Sequence, residues 1–321
     1  MRRLEGVECP ARAHALALAR PRLNGDQIHG WLAGLGVEPI APLETVHERP
    51  WSTVLRVVTA DGDLYLKQEA PVQAYEVPLT AALASRWPDR VPGVVGVDVE
   101  RAWLLMRDGG IPLADAGRFE PFPLALRLYG ELQVAEVEHV ADFLAIGLPD
   151  ARLPVVAAAY EPFLEEDHGL TAEELARLRA FAPRYYELCE ELASFGLPDS
   201  IQHDDLHEWN VFVRDGHAAI FDWGDSSVAH PLLSWLKPLG VTIRRRLDPE
   251  PLLAAYLSHW TQVMAEEKLR AAIEVAIPVG TFAYILQQQR QQDAMPSGAP
   301  MHYFEYLPKT LRGFLERLEA A

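Results

Sequence analysis

Cysteine is nearly absent from this chain: Cys9 and Cys189 are the only two in 321 residues. Two distant thiols build no disulfide framework, and no CxxC pair offers a metal site. This usage fits a reducing compartment, so a cytoplasmic protein is expected. Long apolar runs are missing as well. Each is interrupted by charge or proline, which predicts no transmembrane helix. In the N-terminal stretch MRRLEGVECPARAHALALARP, Glu5, Glu8, Arg12 and Arg20 break up any apolar segment, so no signal peptide is expected. No fixed-period repeat is present. Positive charge is scarce: 29 Lys and Arg against 46 Asp and Glu leave a formal net charge of -17. An acidic surface repels nucleic acid and anionic membranes, so neither is an expected partner. A cationic small molecule is compatible with it.

Hydrophobic residues make up 49% of the chain and charged residues 23%, which predicts a packed core. The length suits one large domain or two lobes. Residues 24–36, NGDQIHGWLAGLG, read as a short amphipathic helix ending at Gly36. WSTVLRVVTADGDLYLKQ, 51–68, reads as a hairpin with Asp61-Gly62 in its turn. A helix over 77–87 and strands over 94–99 and 101–107 follow, then Gly109, Gly110 and Pro112 punctuate a linker. After that the pattern is helical: 123–145, a segment opened by the Thr171/Glu174 capping box, 252–264, 269–291 and 302–320. Strand-rich text followed by helix-rich text predicts an α+β protein of two lobes.

Acid and histidine are densest in SIQHDDLHEWNVFVRDGHAAIFDWGD, residues 200–225. VFV and AAIF flank Asp215-Gly216, a favoured pair for a two-residue hairpin turn. Counting outwards from that turn sets Asn210 opposite Phe221 and Trp209 opposite Asp222, so Asn210 and Asp222 share the open end of the hairpin. An amide oxygen beside a carboxylate suits Mg²⁺, which takes oxygen ligands and leans on few carboxylates. Asp205, five residues before Asn210, projects into the same space. A carboxylate there is placed to orient and deprotonate a hydroxyl.

His203, Asp205 and Asn210 meet the spacing H-x-D-x-x-x-x-N, and Asp222 follows on the hairpin. With His207 and Trp223 in place too, HDDLHEWNVFV…IFDWGD resembles the aminoglycoside phosphotransferase and choline kinase branch of the protein-kinase-like enzymes. That resemblance implies a protein-kinase-like two-lobed fold, with a small β-rich N-terminal lobe and a larger helical C-terminal lobe. It implies residues 1–36 as a helical extension, 37–107 as the nucleotide-binding lobe, 108–112 as a hinge and 113–321 as the catalytic and substrate-binding lobe. It implies ATP and Mg as cofactors, Asp205 as the base, Asn210 and Asp222 as metal ligands, and His203, His207 and Asp225 as supports of the loop. Lys67, a lone cation on an apolar strand, would reach the nucleotide phosphates and be held by Glu76, with Glu69 the competing partner. Met106, Arg107 and Asp108 would receive adenine through backbone groups.

The chain departs from the family pattern at three places. The nucleotide-covering loop HERPWST, 47–53, has no glycine, and Ser52 and Thr53 hydroxyls would substitute for it. Asp204 stands where the family has glycine, and is read as facing water. Ser234 stands where the family has a loop-supporting aspartate, which Asp225 would replace. The expected function is transfer of the ATP γ-phosphate to a hydroxyl of an aminoglycoside, amino sugar or amino alcohol. The alternative is a pseudokinase-like nucleotide-binding module without turnover. A further reading, a hydrolase with His203, Asp204, Asp205 and His207 on a transition metal, conflicts with the β-rich text beside them.

Overall fold

The computed structural model describes residues 23–117, 119–214, 217–296 and 299–320. Cys9, the basic N-terminal stretch and the Asp215-Gly216 turn lie outside the described residues. Five strands, β1 (Glu44–Glu48), β2 (Ser52–Thr59), β3 (Gly62–Glu69), β4 (Val94–Asp98) and β5 (Trp103–Arg107), form an antiparallel sheet in the order β1-β2-β3-β5-β4. Thr59 pairs with Gly62. The β2–β3 turn is therefore Ala60-Asp61, one residue earlier than the Asp-Gly pair suggested, and Gly62 is already in the strand.

Strand alternation decides what each sheet face carries. Leu64 and Leu66 of β3, with Trp103 and Leu105 of β5, point one way and pack against Ile28 and Leu32 of helix α1 (Gly25–Gly34). The intervening residues Lys67, Leu104 and Met106 point the other way, towards helix α2 (Glu76–Arg86), whose Val77 packs on Leu104 and Met106. The same period of two thus buries an apolar face under α1 and delivers one lysine to α2.

The rest of the chain is helical around small strands. Its helices are α3 (Pro121–Glu136), α4 (Val140–Ala145), α5 (Leu153–Phe163), α6 (Ala172–Ser194), α7 (Leu236–Arg245), α8 (Glu250–Leu257), α9 (Glu266–Asp293) and α10 (Tyr306–Ala320). Its strands are β6 (Ile111–Pro112), β7 (Asp150–Ala151), β8 (Ser200–Gln202), β9 (Val211–Arg214), β10 (His217–Ile220) and β11 (Ser227–Ala229). They make two small sheets, β10-β9-β6 and β7-β11-β8. The expected capping box opens α6: Glu174 N–H donates to Thr171 Oγ1, and Thr171 N–H donates to the Glu174 carboxylate. The helix expected over 123–145 is interrupted by a 3-10 turn at Val137–His139, and α5 and α7 were not foreseen. Helix α9 is long and apolar enough to cross a membrane by length and composition alone. Its apolar residues, among them Ile273, Ala276, Val279, Phe282 and Ile285, lie instead in the main core, where α9 packs against α5, α6 and α10. The architecture is α+β, β-rich first and helical after.

Candidate active site

Two clusters of charge face each other across the lobes. The first surrounds Lys67. Its Nζ lies 2.6 Å from Glu76 Oε2, 2.7 Å from Asp222 Oδ1 and 2.9 Å from Glu69 Oε1. Glu69 and Glu76 both pair with Lys67, so the two candidate partners are not alternatives. Strand β3 supplies Lys67 and Glu69, two residues apart on one face; α2 supplies Glu76 in its first turn. Glu76 comes close because residue 224 is glycine: a Cβ there would meet Glu76 Oε2 at 2.6 Å. Burial presses the lysine pKa down, but Asp222, Glu69 and Glu76 more than offset this and hold it well above the usual range. Burial raises the carboxyl pKa of Glu69 and of Glu76; the charge of Glu76 adds to the rise at Glu69, and that of Asp222 to the rise at Glu76.

The second cluster surrounds Asp205. Lys237 Nζ of α7 donates to its Oδ1 at 2.8 Å. His207 Nε2 lies 3.2 Å from its Oδ2, and the Asn210 side-chain amide donates to the same oxygen at 3.2 Å and to the Asp205 carbonyl at 3.0 Å. Burial alone would raise the Asp205 pKa; Lys237 and His207 overcome it and hold the group well below the carboxylate range. The carboxylate is charged and fixed by three donors. For His207, burial presses the pKa down, while the hydrogen bond and charge of Asp205 bring it net upward.

The hairpin closes the site. The pairing Val211↔Ile220 continues as Phe221 N–H donating to Asn210 carbonyl at 2.8 Å, the register counted from the sequence. Asp222 follows with φ 63 and ψ 64, in the left-handed region, its side chain 54% exposed and one oxygen on Lys67. The Asn210 amide nitrogen is turned to Asp205, which leaves its oxygen for another partner, and Asp222 retains its second oxygen. One amide oxygen and one carboxylate oxygen at the open end of a hairpin match the donor set a hard cation takes.

The histidines are braces. His203 Nε2 donates to the Phe221 carbonyl at 2.8 Å, its Nδ1 accepts from Asp205 N–H at 3.3 Å, and its ring packs on Trp223. Burial lowers its pKa to about 4, so the ring is neutral. With both nitrogens of His203 used, and His207 held between Trp209 N–H and Asp205, neither ring is free for a transition metal. Among the described residues, no group of three or more His, Cys, Asp or Glu side chains is arranged to hold a metal ion.

Asp204 corrects an expectation: it does not face water but is 8% exposed. Its φ of 61 turns the side chain inward, where it accepts from Ser227 Oγ at 2.6 Å and from the Gln202 amide. Burial raises its pKa to about 6. Support of the loop also runs through different residues than expected. Ser234 Oγ lies 2.9 Å from Tyr129 Oη and accepts from the Gln133 amide, and Tyr129 Oη accepts the His203 backbone N–H at 2.9 Å. Asp225 is engaged elsewhere, accepting from Gln73 beside the sheet lobe and from Gln291 of α9. Burial, then Asp205 and Asp222, raise its pKa to about 7.

The hinge and covering loop complete the boundary. Met106 is buried in the sheet, Arg107 N–H donates to Gly93 carbonyl and Asp108 N–H to Asp63 carbonyl. The Arg107 and Asp108 N–H groups are therefore already satisfied. Gly109 lets the linker lie on Phe221, which a Cβ would meet at 2.2 Å. Ser52 and Thr53 are buried at the start of β2, opposite Glu69 and Gln68. The loop before them is held from the other lobe: the Tyr303 ring lies edge-on to Trp51 at 5.1 Å, and Arg49 Nη1 donates to its hydroxyl at 3.5 Å. Sequence reasoning missed Lys237, Tyr129, Gln73 and Gln291. Lys237 carried a usable signal, a single cation in the apolar run HPLLSWLKPL, the same argument that singled out Lys67.

Comparison with known proteins gives a family match and many fold matches. The model of the phosphotransferase enzyme family matches residues 45–270. A choline/ethanolamine kinase family protein from Mesorhizobium loti has a TM-score of 0.60 at 18% identity, covering 91% of this chain and 94% of that one. The choline kinase LicA from Streptococcus pneumoniae gives 0.62 at 13% identity, covering 91% and 98%. The GDP complex of aminoglycoside 2'-phosphotransferase-IIIa gives 0.63 at 13% identity, covering 92% and 100%. At these identities the likeness is one of fold. No curated protein matches in sequence.

Proposed function

This chain belongs to the phosphotransferase enzyme family, and on that premise we propose that it is an ATP-dependent kinase of a small molecule bearing a hydroxyl group. The observation that carries the reading is the Asp205 carboxylate, charged, held by Lys237, His207 and Asn210, and adjoining the Asn210–Asp222 pair. Asp205 is the group that orients the acceptor hydroxyl. In the transfer the acceptor oxygen bonds to the γ-phosphorus as the bond from phosphorus to the β-bridging oxygen breaks. ADP leaves, and the hydroxyl proton passes to Asp205 and on to water. The low basicity of Asp205 suits a loose transition state, in which the hydroxyl needs aiming more than early deprotonation.

Asn210 and Asp222 would hold Mg²⁺, which when bound supplies charge neutralisation at the phosphates. Lys67, braced by Glu76 and Glu69, would reach the α- and β-phosphates. The backbone of Met106 to Asp108 would take the adenine edge, with the Arg107 and Asp108 N–H groups exchanging their present partners Gly93 and Asp63 for it, and Ser52 and Thr53 would border the phosphate end. The cleft would lie between residues 37–107 and 113–321, joined at 108–112, with 1–36 an extension. A cationic acceptor, an amino sugar, aminoglycoside or amino alcohol, is favoured by the net charge of -17. A cytoplasmic location is part of the same reading.

The test is ADP release with Mg²⁺ and ATP across aminoglycosides, macrolides, amino sugars and amino alcohols, beside an Asp205→Ala control. Release that needs one acceptor class and is lost in the variant supports the kinase. Nucleotide binding without release from any acceptor would leave the pseudokinase-like module, the reading favoured by the glycine-free loop.

A further inference from the structure

Two lysines reach the cleft, and they differ in what remains for a ligand. An ammonium has three N–H donors. Lys67 donates to Glu76 and Asp222 at 2.6 and 2.7 Å and is ion-paired with Glu69 at 2.9 Å, so three carboxylates surround it. Lys237 gives one donor to Asp205 Oδ1 at 2.8 Å and sets its Nζ 3.9 Å from the centre of the Tyr284 ring. Tyr284 is thus its second partner, beside Asp205, and the lysine side chain is 21% exposed. With Asp205 and Tyr284 as its two partners, a third N–H of this partly exposed ammonium is left over beside Asp205.

A phosphoryl group entering this place meets Asp205 and Asp222, with Asp204 and Asp225 behind them. The covering loop has no glycine, so it offers little of the close backbone N–H approach that phosphates favour. Beyond the charge that Mg²⁺ would supply, donors to the phosphoryl oxygens must come from side chains. We propose that Lys237 is a second phosphoryl-binding lysine, whose free N–H donates to an oxygen of the γ-phosphoryl group while the first holds Asp205. Resting on the kinase reading, this assigns Lys237 to the phosphoryl group in transit and Lys67 to the phosphates that stay with ADP. Preorganised cations aimed at the transferring group are the main source of catalysis in such reactions. Tyr284 keeps Nζ in place through its ring face, and its own hydroxyl accepts from Gln288 at 3.1 Å.

The test is calorimetry of Mg·ATP and Mg·ADP on the wild type, Lys237→Met and Lys237→Arg, with no acceptor present. Lys237→Met is expected to bind Mg·ATP about tenfold more weakly, the loss of one charge-assisted hydrogen bond, and Mg·ADP within about twofold of wild type. Lys237→Arg is expected to recover most of the ATP affinity. An unchanged ADP affinity also reports an intact fold in the variant. Equal effects on ATP and ADP, or none on either, would show a counter-ion for Asp205 alone and overturn the inference while leaving the kinase reading in place. A wild type that binds neither nucleotide overturns both.

Discussion

The two sides of the cleft are built on inverse plans. In the sheet lobe one cation, Lys67, is ringed by three carboxylates; in the helical lobe one carboxylate, Asp205, is ringed by three donors. The excess negative charge round Lys67 fixes an ammonium that a ligand must share. The excess of donors round Asp205 keeps a carboxylate ionised in a buried place, where burial by itself would neutralise it. One side is arranged to hold a cation still, the other to hold an anion still, and Asp222 belongs to both clefts' borders through Lys67 and the hairpin. This difference predicts how each side fails.

Removing the anion gives the largest effect. Asp205→Asn keeps the shape and loses the charge, and kcat should fall about a thousandfold, within the range of a positioned acid–base group, with a loss of stability limited by the partial exposure of Lys237, whose counter-ion is removed. A variant that keeps its rate would break the inverse-plan account on the helical side. Removing the cation should instead damage the fold. Lys67→Met leaves Glu69 and Glu76 buried without their counter-ion, and a loss of about 3 kcal/mol in urea unfolding is expected. Replacing all three, Lys67→Met with Glu69→Gln and Glu76→Gln, should recover much of that loss without restoring nucleotide binding.

The brace behind Asp205 has a smaller role. Ser234→Ala removes a partner of Tyr129 and Gln133, the pair that fixes the His203 backbone. A cost of about 2 kcal/mol is expected from buried polar groups left short of partners, with kcat reduced and the nucleotide KM little changed.

Asp225 bridges the two sides and gives the smallest effect on turnover, read as stability against pH. Its folded pKa, about 7, lies above the unfolded value of 3.8. The protonated acid is favoured by folding, so its contribution is full below pH 3.8 and is lost as pH rises through about 7. Asp225→Asn cannot ionise, so its stability relative to wild type should rise between pH 5 and pH 8, by up to about 3 kcal/mol. A difference that does not vary with pH would separate Asp225 from the charge of Asp205 and Asp222.

What the sequence disclosed follows from local spacing. Asn210 and Asp222 meet because a hairpin register counts them together. Lys67 faces α2 because strands alternate. Asp205 stands near Asn210 because five residues cannot take it far. The remainder depends on packing between distant segments. Asp204 was read as solvated because its partners, Ser227 and Gln202, come together only through β8–β11 pairing. Tyr129 and Ser234 are far apart in sequence and meet only when α3 packs beneath the loop. Helix α5, LPVVAAAYEPF, has a run of small apolar residues whose period is too weak to separate helix from strand. Lys237 is the exception: an isolated cation in apolar text was there to be noticed.

The most direct test of the central claim is a single-turnover measurement with γ-labelled ATP, Mg²⁺ and an acceptor identified by ADP release, on wild type and Asp205→Asn, with the ATP dissociation constant measured on each. The account predicts label on the acceptor hydroxyl in the wild type, a loss of about a thousandfold in rate in the variant and an ATP affinity within about twofold. Label transferred equally by both proteins would contradict the role given to Asp205 and, with it, the reading of the cleft.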